Sequence, residues 1–142
     1  MGAEVTKIEE TSLGDKTRSC TPFWNDERTQ FLTFNRNKRS LSLNLKEQEG
    51  IDIVLGLAEK ADVMVESFRA GALDRTGLGY DAVRATNPNI IYCSISGYGR
   101  TALMADKPGY ARIIQAYSAL SNLTSEPEAP PLPRTEKRRG GE

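Results

Sequence analysis

The stretch "RSLSLNL", residues 39–45, alternates strictly, with Leu41, Leu43 and Leu45 separated by Ser42 and Asn44 and preceded by Ser40. A period of two puts alternate side chains on opposite faces of a strand. The period then changes. Ile51, Val54, Leu55 and Ala58 recur at helical spacing across residues 47–60, which predicts an amphipathic helix. A further strand follows at "VMVESF", residues 63–68. Strand, helix, strand is the unit that builds a parallel sheet, because parallel neighbours need a long crossover and a helix supplies it. This change of period predicts an α/β fold with a mostly parallel sheet.

The remaining segments extend that pattern. "AEVTKIE" (3–9) reads as a weakly alternating strand with no neighbour ahead of it. Residues 10–30 are polar, with Gly14, Pro22 and a "WNDE" turn signal, and read as a loop in which Phe23 and Trp24 anchor on the body. "FLTF" (31–34) is a short apolar run. A short helix is predicted over 80–86, stopped before Pro88. "NIIYCSISGYG" (89–99) is the most strand-like run, and residues 109–121 give a last helix with Ile113, Ile114, Ala116 and Tyr117 as its buried residues. Residues from Thr124 onward hold four of the seven prolines and no aromatic residue. Such a segment buries too little to offset its ordering, so 125–142 is expected to be a disordered tail.

Composition excludes several functions. A chain of 142 residues suits one domain. Lys+Arg and Asp+Glu are equal at 19 each, so no overall field draws the protein to nucleic acid or an anionic membrane. The basic tail residues Arg134, Lys137, Arg138 and Arg139 have no stacking aromatics nearby, and no nucleic-acid partner is expected. With no histidine, the commonest acid/base group and metal ligand is missing. Cys20 and Cys93 make no metal-binding spacing, so no metal is expected, and two cysteines fit a reducing compartment. No run approaches the ~20 apolar residues of a membrane span. The start "MGAEVTKIEE" has no signal-peptide pattern. The expectation is a cytoplasmic protein with no membrane association.

Any anion site must therefore be local, and three places qualify. Arg36, Lys38 and Arg39 stand at the mouth of the alternating strand, where they either wait for an anion or solvate a turn that guards a sheet edge. "VESFRAGALDR" (65–75) runs from a strand into a loop with Arg69 and Arg75. Ligands of parallel sheets sit beyond the carboxyl ends of strands. Two arginines there could hold a pyrophosphate, or Asp74 could engage them in surface ion pairs. "SISGYGRT" (94–101) sets Gly97 and Gly99 past another strand end, either for close approach to a ligand or as an ordinary exit. No catalytic grouping stands out. Serine without histidine makes no ordinary triad, and Glu9 and Glu10 read as solvated residues at a strand end.

Taken together, "GAEVTKIE", "GDKTR", "NRNKRSLSLNLK", "ADVMVESFRAGALDRTGLGYDAV" and "NPNIIYCSISGYGRT…DKPGY" resemble the amino-terminal part of the family III (CaiB/BaiF) CoA-transferases, the formyl-CoA transferase and carnitine CoA-transferase type enzymes, over roughly residues 2 to 132. The resemblance implies a partial Rossmann-like domain, incomplete over residues 1–124, that binds coenzyme A or acyl-CoA as substrate. It implies a carboxylic acid as the second substrate, and homodimers of two interlocking chains in the family. By matching position, Leu43, Asn44, Leu45 and Lys46 would lie along CoA, as would Ser67, Phe68 and Arg69, and Arg75 would meet its phosphates. Ser67 stands where the pattern has asparagine, which removes one amide donor, and Glu10 where it has arginine. The racemase relatives would need a histidine at Tyr110. The family's aspartate nucleophile, which carries the acyl group and then CoA, falls near Gly140, yet no aspartate follows Asp106. The resemblance thus implies CoA transfer between carboxylic acids through an aspartyl intermediate, by a chain truncated before its nucleophile and inactive alone. A non-catalytic CoA- or nucleotide-binding module and an unstable remnant are the other readings.

Overall fold

The computed structural model describes residues 2–25 and 27–123. Strand β1 (Val5–Glu9) is followed by a 3-10 turn (Lys16–Ser19), the short strands β2 (Phe23–Trp24) and β3 (Glu27–Arg28), and helix α1 (Thr29–Asn35). Then come β4 (Lys38–Ser42), α2 (Gln48–Ala58), β5 (Val63–Glu66), α3 (Ala72–Thr76), α4 (Tyr80–Thr86) and β6 (Ile91–Ser94). Helices α5 (Ala111–Tyr117) and α6 (Leu120–Leu123) complete the described chain.

The α/β expectation holds, and the parallel pairing is divided. β1 pairs with β4 in parallel, Ile8 opposite Leu41, and β5 pairs with β6 in parallel, Val65 opposite Cys93. The first strand, without a neighbour ahead of it in sequence, takes one from 33 residues on, as Val5 meets Lys38. Among the described residues only β2 and β3 run antiparallel.

Helix α2 joins the two pairs. Its residues Gly50, Ile51, Val54 and Ala58 are buried, the face the spacing predicts, and Glu49 in its first turn suits the positive end of the helix dipole. Ile51 and Val54 form one cluster with Leu73 and Leu78, to which Ile8, Leu43, Leu45, Leu55 and Met64 add. Ala58 forms a second with Val83 and Ile90. Val83 and Leu78 are fully enclosed, and burying such side chains contributes roughly 1.5–3 kcal/mol each. α4 ends where predicted, since Asn87 precedes Pro88 and is extended (φ −136°, ψ 98°). The Asn87 amide then donates to the carbonyls of Ala58 (3.0 Å) and Ala61 (3.0 Å). It thereby ties the residues after α2 to the end of α4.

Three expectations fail. Residues 10–30 are not a plain loop: they form the 3-10 turn, the β2–β3 ribbon and the start of α1. Phe23 and Trp24 do not anchor them, being 52% and 64% exposed. The anchor is polar, through Asp15 and Arg18. Helix 109–121 is interrupted at Ala119, whose φ is +58°. Its expected buried residues Ile113, Ala116 and Tyr117 are exposed and Ile114 is half-buried. Helical spacing marks an apolar face, but a neighbour must be present to cover it.

Candidate functional site

Four loops leave the carboxyl ends of the parallel strands. The first, after β4, still follows β1: the Leu43 N–H donates to the Glu9 carbonyl at 2.9 Å. Leu43 and Leu45 turn into the core. Asn44 shapes the turn, because its side-chain oxygen accepts from the Lys46 N–H at 3.1 Å and its carbonyl from the Glu47 N–H at 3.2 Å. Helix α2 begins so close that a Cβ on Gly50 would stand 2.3 Å from the Asn44 carbonyl oxygen, which only glycine permits. Asn44 and Lys46 are left exposed to solvent.

After β5, Glu66 is buried and accepts the Phe68 N–H at 2.7 Å. That bond folds the turn that presents Ser67, Phe68 and Arg69, all exposed. Arg75 is exposed on α3, two residues from the buried Leu73. The cluster holding Leu73 also takes Leu43, Leu45 and Met64, so one apolar contact set supports all three groups of expected site residues. Lys46, Arg69 and Arg75 form no ion pair among the described residues. The alternative of an Asp74 ion pair with them gives way: Asp74 pairs with Arg100.

The fourth loop, after β6, explains its glycine internally. A Cβ on Gly97 would lie 2.7 Å from the Gly109 Cα and 2.9 Å from Ile114 Cδ1. The backbone that Gly97 admits is the chain's own, not a ligand's. Arg100, on the same loop, reaches Glu66 (3.7 Å) and Asp74. Ser94 donates to Glu66 from β6. Tyr92 donates to the Leu78 carbonyl at 3.1 Å, and burial together with the negative charge of Glu66 raises its pKa.

The three cations that open the alternating strand lie at its other end. Lys38 and Arg39 start β4, about 16 Å of strand away from Leu43. Arg39 pairs with Glu4 at 2.9 Å, both exposed, and Lys38 bonds Asn35 at 3.4 Å. They belong to the solvated edge.

Two groups were not legible as site residues. Glu9, expected in solvent, is 7% exposed. Arg18 grips it through Nε (2.9 Å) and Nη2 (3.0 Å), Ser40 donates at 2.8 Å and the Asp15 N–H at 2.8 Å. The Arg18 hydrogen bonds, against the cost of burial, hold the carboxyl at about 2 instead of an ordinary 4.5. Lys7 beside it contacts Asp15 and Asn35, and burial lowers its pKa. Glu10, one residue on, is exposed. The second missed group is Glu66 with Arg100 and Asp74; the one sequence signal was an arginine directly after Gly-Tyr-Gly.

Among the described residues, no group of three or more aspartate, glutamate or cysteine side chains could hold a metal ion, and no helix is long and apolar enough to cross a membrane. The position near Gly140 and the segment 125–142 lie outside the described residues.

Comparison with known proteins places this α/β unit in a family. Residues 1–136 match the profile of CoA-transferase family III, and the chain belongs to that family. It is 45% identical over 133 residues to the succinyl-CoA:glutarate CoA-transferase of Mus musculus, covering 93% of this chain and 30% of that one. It is 41% identical over 131 residues to the acetyl-CoA:oxalate CoA-transferase of Acetobacter aceti, covering 92% and 34%. Among solved structures it resembles a CaiB/BaiF family protein from Brucella suis, with a TM-score of 0.84 and 38% identity over 92% of this chain and 36% of the other. The chain thus spans about a third of the length of the relatives it matches.

Proposed function

We propose that this chain carries a CoA-holding surface of a family III CoA-transferase, an enzyme that moves CoA between two carboxylic acids. The observation that carries the reading is the set of uncommitted cations, Lys46, Arg69 and Arg75, at the carboxyl ends of parallel strands, where such sheets take ligands. CoA supplies a pyrophosphate and a ribose phosphate for them. Arg69 and Arg75 can each give two parallel N–H donors to a phosphate, and Lys46 a point charge. Asn44, Ser67 and the exposed ring of Phe68 offer polar and stacking contacts along the rest of the molecule. Leu43 and Leu45 serve from beneath, holding the Asn44–Lys46 turn on the core.

Residues 1–124 act in this reading as part of one α/β domain. One face of the β5–β6 pair stays apolar and open, with Val63, Val65, Ile91 and Ile95 about half or more exposed. Parallel sheets normally bury both faces, which supports a role inside a larger assembly, in keeping with the share of its relatives that the chain spans. With no aspartate after Asp106, these residues bind CoA but do not by themselves supply the nucleophile that takes the acyl group. The thioester substrates and the free thiols Cys20 and Cys93 fit the cytoplasm.

Calorimetry with CoA and an exchange assay with an acyl-CoA and a carboxylic acid test the reading together. Binding without turnover is expected. No heat and no thermal shift at millimolar CoA would remove the binding surface, and turnover by the purified chain would overturn its dependence on an outside nucleophile.

A further inference from the structure

Outside the residues assigned to CoA, one cluster has a form that a purely structural ion pair does not need. Arg100 lies on the loop after β6 and divides its guanidinium between two carboxylates from different elements. Nη1 is 3.7 Å from Glu66 Oε1, and Nη2 contacts Asp74 Oδ2. Glu66, whose side chain is 6% exposed, uses its other oxygen to accept the Phe68 N–H at 2.7 Å. That bond sets the backbone turn from which Ser67, Phe68 and Arg69 project. Asp74 is the residue next to Arg75 on α3. A single side chain therefore links the support of both cationic segments.

We propose that Arg100 is a positioning residue for CoA. It acts through Glu66 on the Ser67–Arg69 turn and through Asp74 on the helix bearing Arg75. This inference rests on the CoA-binding reading above. Two physical effects follow from the arrangement. The first is geometric: the planar fork spans two carboxylates at a fixed separation, so the two segments keep one spacing. The second is electrostatic. CoA arrives as a polyanion, and without Arg100 it would meet Glu66 and Asp74 as two uncancelled negative charges beside Arg69 and Arg75. Lysine restores the charge but reaches one carboxylate at a time, so Arg100→Lys is expected to fall between the wild type and Arg100→Gln.

The experiment reads the turn and the ligand separately. Amide hydrogen exchange at Phe68, followed by NMR on the whole chain, reports the turn with no ligand present. Calorimetry reports CoA and, alongside it, pantetheine, which lacks the phosphates. Arg100→Gln is expected to speed Phe68 exchange at least tenfold and to weaken CoA at least tenfold, while pantetheine changes less than twofold. Arg100→Lys is expected to fold like the wild type and to weaken CoA by about threefold. Should Arg100→Gln fail to fold, the lysine variant decides alone. Wild-type Phe68 exchange and CoA affinity in either variant overturn the proposal, as does an equal loss of CoA and pantetheine, which marks a general structural role. A wild type that binds no CoA overturns the CoA-holding function itself, and Phe68 exchange then still decides whether the clamp on the turn exists.

Discussion

The two parallel pairs end alike and are used differently. At the carboxyl end of β1, Glu9 is buried, accepts a serine hydroxyl from its partner strand (Ser40), accepts a loop N–H (Asp15) and faces an arginine (Arg18). At the carboxyl end of β5, Glu66 is buried, accepts a serine hydroxyl from its partner strand (Ser94), accepts a loop N–H (Phe68) and faces an arginine (Arg100). In both halves a buried carboxylate ties the loop that leaves the strand. The arginines differ. Arg18 gives Glu9 two bonds of 2.9 and 3.0 Å and stacks its guanidinium 3.9 Å over the Phe31 ring. Both of those bonds go to Glu9, and the ring contact ties the side chain to α1. Arg100 stands 3.7 Å from Glu66 and is shared with Asp74. The Glu9 pair fixes a fold, whereas the shared arginine couples the two segments that bear the proposed CoA contacts.

If that contrast is right, the two halves should respond in opposite ways, and the largest effect belongs to the closed pair. Arg18→Met leaves Glu9 buried without its cation. Breaking a buried pair costs about 3–5 kcal/mol, and the 43% exposure of Arg18 brings the expected loss to about 3 kcal/mol. Urea unfolding checks this; a loss under about 1 kcal/mol would reduce Glu9–Arg18 to a surface pair. CoA affinity should change less than about twofold, because the lock lies on the far side of β1 and β4 from the core-facing Leu43 and Leu45.

Next in size is Gly50→Ala. Its methyl would meet the Asn44 carbonyl at 2.3 Å, so the β4–α2 turn must shift, at about 2 kcal/mol. Unlike Arg18→Met, this change moves Asn44 and Lys46, and it should weaken CoA as well as stability. Unchanged affinity would take the Asn44–Lys46 turn out of the ligand site.

Ser40→Ala removes one hydrogen bond to a charged group, expected at about 1.5 kcal/mol. The same change at Ser94 tests whether Glu66 is held as firmly, and a clearly smaller loss there is expected, in line with its looser arginine. Arg100→Gln should cost least in stability, about 1 kcal/mol or less, while having the largest effect on CoA. A loss of stability equal to that of Arg18→Met would erase the contrast.

Acid tests the Glu9 lock. The folded pKa of Glu9, about 2, lies below the ordinary 4.5, so the unfolded chain binds more protons between those values. The stability Glu9 contributes is complete above about pH 4.5 and is lost as the pH falls through about 2. Unfolding followed across that range should weaken the wild type more than Glu9→Gln, and parallel curves would show that Glu9 carries no such linkage.

The strands and helices that follow from a single change of period were legible early. Leu41 lies in a strand as the alternation predicts, although β4 ends at Ser42 and leaves Leu43 and Leu45 in the turn after it, and Ile51, Val54 and Ala58 share the buried face of a helix. The end of α4 before Pro88 follows from local sterics. The buried carboxylates were not legible. Glu9 and Ser40 are 31 residues apart, and Glu66 and Ser94 are 28 apart. No periodicity reports which strand lies beside which. The exposed helix α5 failed for the converse reason: its spacing records an apolar face but not whether anything covers it.

By itself, then, the sequence determined the β4–α2–β5 unit, α4, β6 and the parallel class, and its resemblance to a family pointed to the loops proposed for CoA; it did not show β2, β3, α1 or α3. Backbone sterics and hydrophobic period act within a few residues, and such terms can be read along a chain. Only the tertiary structure decided that Glu9 is an interior anion and that Arg100 joins two loops. Each of those depends on the strand pairing, which brings charges distant in sequence within a few ångströms and removes the water that would otherwise screen them.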